Sequence, residues 1–347
     1  MITNIVGQRQ LGASGVKVPA MGIGIASWGA KQLGYGKSYT RADIMQAYCA
    51  CLDRGLNFFD TAEMYENGES EHLLGECRRQ DGRPIIISTK VAPHTMMTPS
   101  RKRSNPRSLV EALDGSLNRL GVDCIDLYQL HLPPAANKLD EYIDVLAEAV
   151  KAGKIRAVGV CNFSTDLMRK AHARLTGHGI PLASTMVGYN LLRRYPETNG
   201  VLTACRELDV ALIAYAPLAE GVLTGKYRNG AIPVPSSYSM LFRLEQLDLL
   251  HERPDSLPLF RRLFMKPHSL QRDKLESLFN VLDEIAKTHA KTIAQVALNW
   301  LITSESCVIP IPGAKNARQV SENAAALGWR LSEEERTQIN LAEIATH

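Results

Sequence analysis

Short apolar runs alternate with amphipathic stretches along almost the whole chain, and that alternation restricts the fold more than any other feature. Runs at 21–26, 56–60, 85–90, 125–131, 154–161, 183–189, 210–215 and 307–312 have the length and character of buried strands. Helical patterns at 40–54, 69–79, 106–120, 140–152, 164–175 and 198–208 lie between the first seven. Paired helices at 270–290 and 292–302 precede the last strand, and others at 316–327 and 332–344 follow it. Local signals agree: Thr40 with Asp43 forms a capping pair, and Pro106 stands at a helix start.

Strands that each return through a helix pair in parallel. Eight such units predict an α/β chain closed into a (β/α)8 TIM barrel, one domain over residues 1–347. A doubly wound open sheet is the competing arrangement. It usually carries a Gly-x-Gly-x-x-Gly turn, but after Gly22 and Gly24 this chain has Ser27 at the third position. Residues 8–20 flank Gly12-Ala13-Ser14-Gly15 with apolar positions and predict an N-terminal β-hairpin. Residues 227–268 lose periodicity and read as a long excursion after strand seven.

Charge is nearly balanced, with 40 basic and 36 acidic residues and a net +4, so no nucleic-acid partner is expected. The short basic cluster Arg101-Lys102-Arg103 reads as a solvated loop. The seven cysteines show no metal-ligand spacing, and reduced thiols in a reducing compartment are the simplest reading. Neither a signal-like N-terminus nor a membrane-length apolar run is present, which predicts a cytoplasmic protein without a membrane partner. No heptad pattern indicates an oligomeric state.

Three consecutive strands end on ionisable groups. Phe58-Phe59-Asp60-Thr61-Ala62-Glu63-Met64-Tyr65 places Asp60 at a strand end and Tyr65 in the following loop. Ser88-Thr89-Lys90 and Gln129-Leu130-His131 close the next two strands. In a parallel barrel these ends converge on one face. A lysine buried there needs a countercharge, which Asp60 supplies. An ammonium beside a phenol stabilises phenolate, so Tyr65 is expected to titrate below its ordinary value and to donate a proton near neutral pH. His131 would orient a substrate carbonyl oxygen. Taken singly, each of these residues also suits a cap, a packing role or a core hydrogen bond; their joint spacing is what points to chemistry. No metal-ligand cluster accompanies them.

These motifs, with Gly159-Val160-Cys161-Asn162-Phe163, Tyr215-Ala216-Pro217-Leu218-Ala219-Glu220-Gly221 and Ile311-Pro312-Gly313-Ala314-Lys315-Asn316, resemble the aldo-keto reductase family. The resemblance runs from the hairpin to Ile344. It implies an NADP(H)-dependent oxidoreductase in which hydride passes directly between nicotinamide and a small carbonyl substrate. It puts the family's tetrad on Asp60, Tyr65, Lys90 and His131, with the tyrosine as general acid in reduction.

The resemblance also implies cofactor positions. Asn162 matches the family's nicotinamide contact, while Cys161 replaces its serine and Met186 its glutamine. Tyr215 matches the aromatic that stacks on the ring. Pro217, Leu218, Gly221, Thr224 and Lys226 match the segment around the pyrophosphate. Gly313, Lys315, Gln319, Glu322 and Asn323 match the adenosine-phosphate site and favour NADP over NAD; Arg318 and Arg243 are further candidates there. Gly24 precedes Ile25-Ala26, where many relatives have Thr-Trp. Asp60 borders the same site. The acid–base groups are thus retained, while two of three polar nicotinamide contacts are replaced.

Two other functions are weighed against a reductase. One is an NADP(H)-binding regulatory subunit with little turnover, favoured by Cys161 and Met186. The other is a barrel lyase with Lys90 as a Schiff-base nucleophile. Specificity would come from the loops at 27–39, 91–103 and 133–138 and the excursion, where Trp28, Tyr35, Met96 and Met97 could line an apolar pocket.

Overall fold

The computed structural model describes residues 7–93, 106–226 and 272–342. The excursion at 227–268, Met96, Met97, Arg243 and the basic cluster at 101–103 lie outside the described residues.

A hairpin of β1 (Gln8–Gln10) and β2 (Lys17–Pro19) opens the fold. The barrel strands follow: β3 (Ile23–Gly24), β4 (Phe58–Asp60), β5 (Ile86–Val91), β6 (Ile125–Leu130), β7 (Ile155–Cys161), β8 (Leu182–Gly188), β9 (Ala211–Tyr215) and β10 (Val308–Pro310). They lie in sequence order in one sheet, and every neighbouring pair is parallel. Close approach at two glycines joins the first strand to the last. Gly22 N–H donates to Pro310 O at 3.0 Å, Gly24 N–H donates to Pro312 O at 3.1 Å, and Gly24 bridges Gly313 in parallel. The sheet is a closed barrel, not an open doubly wound one.

Helices α1 (Arg41–Leu52), α2 (Glu69–Asp81), α3 (Ser108–Leu120), α4 (Leu139–Lys151) and α5 (Thr165–Gly177) return the chain between strands. Thr40 and Asp43 form the capping box expected at the start of α1. The helix expected over 198–208 is instead split into Tyr195–Thr198 and Val201–Leu208. Gly200 turns between them with φ 85°, and Asn199 Oδ1 accepts the Val201 N–H. Among the described residues no helix is long and apolar enough to cross a membrane.

Strand alternation sorts the side chains into two cores. Phe58, Leu127, Ala157, Met186, Ala211, Ile213 and Ile309 face inward as one buried cluster, floored by Leu11 and Val18 of the hairpin region. Phe59, Tyr128, Val158 and Leu212 face outward against the helices. Trp28 belongs to that outer core: it is fully buried, its ring lies 6.2 Å from Phe59, and its Nε1 donates to Ala314 O. It therefore lines no open pocket, because core packing has claimed its ring.

Barrel closure depends on the missing side chain at position 22. A Cβ there would stand 2.5 Å from Phe58 Cδ1 and 3.1 Å from Phe58 O, both fixed by burial. Gly22→Ala is expected to destabilise the fold by about 1–3 kcal/mol. A urea midpoint equal to wild type would refute this account of closure.

Candidate active site

Parallel register sets the site. Asp60, the last residue of β4, pairs with Ser88 of β5, and Lys90 of β5 pairs with Gln129 of β6. Residues 88 and 90 share the inward face, two apart. Asp60 is 2% exposed and Lys90 is 1% exposed, so neither charge is stable there alone. Lys90 Nζ donates to Asp60 Oδ2 at 2.6 Å and to Thr61 O at 2.6 Å. Asp60 Oδ1 accepts the Ser88 hydroxyl at 2.8 Å. Burial works against the Lys90 ammonium, but the Asp60 carboxylate outweighs it and holds the lysine above its ordinary value.

The chain between Asp60 and Tyr65 is tied down at each step. Thr61 N–H donates to Ser88 O, and Glu63 N–H donates to Lys90 O. The buried Glu63 carboxylate accepts the Ala92 N–H at 3.2 Å. Thr61 Oγ1 donates to Ser70 Oγ, which donates to Ile25 O. Tyr65 then begins a tight turn, Tyr65–Gly68, in which Glu66 and Asn67 take left-handed backbone. The turn sets the Tyr65 ring over the lysine, with Lys90 Nζ 5.0 Å from its centroid. The His131 ring meets it edge-on at 5.8 Å and 86°. His131 lies one residue beyond β6, its N–H donating to Val91 O at 2.8 Å. The four predicted groups therefore meet at the C-terminal face.

Burial shifts two protonation equilibria, and for Tyr65 it reverses the direction expected from the sequence. Tyr65 titrates above, not below, its ordinary value: burial raises it, and Lys90 pulls down without prevailing. The resting group is a neutral phenol. His131 is pushed down to about 3 by burial, assisted by Lys90, so its imidazole is neutral. Its buried Nδ1 has no hydrogen-bond partner among the described residues.

The residues carried over for a cofactor rim the same face. Asn162 follows β7 in left-handed backbone at φ 60°, with its N–H donating to Met186 O at 2.9 Å. Its Nδ2 donates to Cys161 Sγ at 3.2 Å and to His131 O at 3.3 Å, and its Oδ1 accepts the Tyr215 hydroxyl at 3.0 Å. Cys161 and Met186 are both buried inside the barrel, and burial pushes the Cys161 thiol up to about 12.

Pro217 to Lys226 leaves β9 through unusual backbone. Ala216, Ala219 and Glu220 join Gly221 at positive φ, and Thr224 Oγ1 donates to Gly221 O at 2.7 Å. Left-handed non-glycine residues are strained and concentrate where a loop has a task. Here they follow strand ends, as Glu66, Asn67 and Asn162 do. A Cβ at Gly221 would meet Lys226 Nζ at 2.9 Å.

Lys315 is half-buried, and its Nζ donates to Leu33 O at 2.8 Å. Burial and the neighbouring Lys226 cation both lower its pKa. Gln319 Oε1 accepts the Lys315 N–H, Asn323 Nδ2 donates to Gly313 O, and Arg318 Nε lies 3.5 Å from Glu322. Gly24 and Gly313 meet at the barrel seam. Glu63, Ser88 and Gln129 stand inside the sequence motifs without a role that the sequence assigns. The available signal was their position: Glu63 within the Asp60–Tyr65 motif, Ser88 and Gln129 two residues before Lys90 and His131.

Known proteins match this arrangement along the chain. The model of the Aldo/keto reductase family matches residues 20–344. The chain is 35% identical to a chloroplastic pyridoxal reductase of Arabidopsis thaliana, over 94% of this chain and 84% of the relative. It is 31% identical to an L-glyceraldehyde 3-phosphate reductase of Escherichia coli O157:H7, covering 96% and 91%. The structure superposes on an aldo/keto reductase of Klebsiella pneumoniae in complex with NADP and acetate, with TM-score 0.69, 27% identity, and 97% and 96% coverage. With its barrel, its strand-end groups and these matches, the chain belongs to the aldo/keto reductase family.

Proposed function

We propose that this protein is an NADP(H)-dependent oxidoreductase that reduces a small aldehyde or ketone to an alcohol, with Tyr65 as the general acid. The observation that carries this reading is the buried Asp60–Lys90 pair with its ammonium 5.0 Å from the Tyr65 ring centroid. Bound NADPH would supply the hydride. Asn162 and Tyr215 would position the nicotinamide, and the buried Cys161 and Met186 would give it an apolar floor. Lys226 lies near enough to Lys315 to lower its pKa, and two cations so placed suit a phosphate group. Cofactor affinity on this reading comes from the phosphate end.

As the carbonyl carbon receives hydride, its oxygen gains negative charge and takes the Tyr65 proton. The neutral phenol is the form that can give it. The phenolate left behind faces the Lys90 ammonium, which Asp60 keeps charged. His131, neutral, can offer an N–H to the same oxygen. A lysine held as ammonium is a poor nucleophile, which weighs against a Schiff-base lyase. The small carbonyl substrate meets these groups at the barrel mouth.

Tyr65→Phe is expected to lower carbonyl turnover by about 100- to 10,000-fold, while NADPH still quenches protein fluorescence. Retained turnover would exclude Tyr65 as the acid. NADPH binding without turnover of any carbonyl by the wild type would favour a regulatory cofactor-binding role.

His131 also sets a pH dependence of stability. Its folded pKa, about 3, lies below the unfolded value of about 6.5, so the unfolded chain binds more protons between them. Stability from this group is present above pH of about 6.5 and is lost as pH falls toward 3. Denaturation of wild type and His131→Gln should show a flatter decline for the variant in that window. Parallel curves would mean that the imidazole is not held neutral.

A further inference from the structure

Beneath Asp60 the barrel interior turns from apolar to polar. Three side chains from β5, β6 and β8 lie in a line that ends on the carboxylate. Ser184 Oγ donates to Gln129 Oε1 at 3.3 Å, Gln129 Nε2 donates to Ser88 Oγ at 2.9 Å, and Ser88 Oγ donates to Asp60 Oδ1 at 2.8 Å. All three are fully buried. The direction of the line follows from its end. An ionised Asp60 only accepts, so it takes the Ser88 proton. Ser88 oxygen is then left to accept, and Gln129 must turn its amide N–H toward it.

Room for this line is provided by β7. A Cβ at Gly159 would stand 2.4 Å from Ser184 Oγ and 2.8 Å from Gln129 Cγ. Elsewhere the inward positions hold residues such as Phe58, Leu127 and Ile213. A leucine at 129 would fill its volume, but it would take the acceptor from the buried Ser184 hydroxyl and the donor from the buried Ser88 oxygen. Volume alone does not call for glutamine; the two buried hydroxyls on either side of it do.

We infer that Gln129 is a positioning residue for the reduction: its N–H to the Ser88 oxygen anchors that hydroxyl and strengthens its bond to Asp60 Oδ1, leaving Oδ2 to hold the Lys90 ammonium under Tyr65. The inference rests on the reductase reading above. It divides the carboxylate's two oxygens between two tasks. Without Gln129 the Ser88 oxygen loses its donor, and the hydroxyl holds the Asp60 carboxylate by a weaker, less firmly anchored bond.

The test compares wild type, Gln129→Leu and Gln129→Glu across pH with one carbonyl substrate. Leucine removes the donor. Glutamate has the same shape but donates to Ser88 only while protonated; once ionised it draws the Ser88 proton away from Asp60. Gln129→Leu should lower kcat about tenfold at all pH values, the effect of one buried hydrogen bond, with KM changed less than about threefold. Gln129→Glu should approach wild type at acid pH and fall to the leucine level as pH rises. Should Gln129→Leu fail to fold, Gln129→Glu and Ser184→Ala carry the comparison.

A wild-type kcat and pH profile in both variants would overturn the inference. So would a reduced kcat in Gln129→Glu whose ratio to wild type does not change with pH, since that is a structural effect only. A second readout needs no turnover: the 13C carboxyl signal of Asp60, assigned by its loss in Asp60→Asn. It should remain that of a carboxylate to lower pH in wild type than in Gln129→Leu, and identical titrations would refute the positioning role. A wild type that reduces no carbonyl would count against the reductase reading alone.

Discussion

A lysine and an aspartate that meet at 2.6 Å inside the barrel impose the constraint on which the rest of this structure depends. Neither charge is stable there without the other, since removing one partner leaves an ion out of water with nothing to compensate it. The pair must therefore be assembled from β4 and β5 in correct register. A slip of one residue would turn Lys90 toward the helices and Ser88 away from Asp60. The floor of apolar residues below and the helices outside fix that register. The pair's chemistry thus stands on the packing of the whole barrel.

The loops around the pair are held by different means. Backbone hydrogen bonds and the buried Glu63 fix the segment that carries Tyr65. Left-handed residues shape the turns after β4, β7 and β9. Such conformations persist only where surrounding contacts over-determine them. On the proposed reading their reward is a preorganised rim, where cofactor and carbonyl meet groups already in place. The same reading makes the neutral state of Tyr65 useful, because a proton donor must keep its proton until charge develops on the substrate oxygen.

On the proposed reading the cofactor rim shows a division of labour. Toward the barrel axis, Cys161 and Met186 offer little hydrogen bonding, and Asn162 is shared among Cys161, His131 and Tyr215. Toward the edge, Lys226 and Lys315 gather positive charge. A ligand bearing an apolar ring at one end and phosphates at the other matches that gradient.

The alternation of strand and helix, the residues at strand ends and the motifs shared with aldo/keto reductases were determined by sequence alone. These are local properties: period two, helical periodicity, capping pairs and spacing all act within a few residues. They sufficed to place Asp60, Tyr65, Lys90 and His131 on one face. Tertiary structure decided what depends on partners distant in the chain. Ammonium proximity suggested a lowered Tyr65 pKa, but burial, which no spacing reveals, reversed its sign. Core packing took Trp28 out of any pocket, and Gly200 divided a helix that periodicity alone would continue. Ser88, Gln129 and Ser184 look like ordinary strand residues until the closed barrel brings them into line. Electrostatics and close contact act through space, and only the folded chain sets those distances.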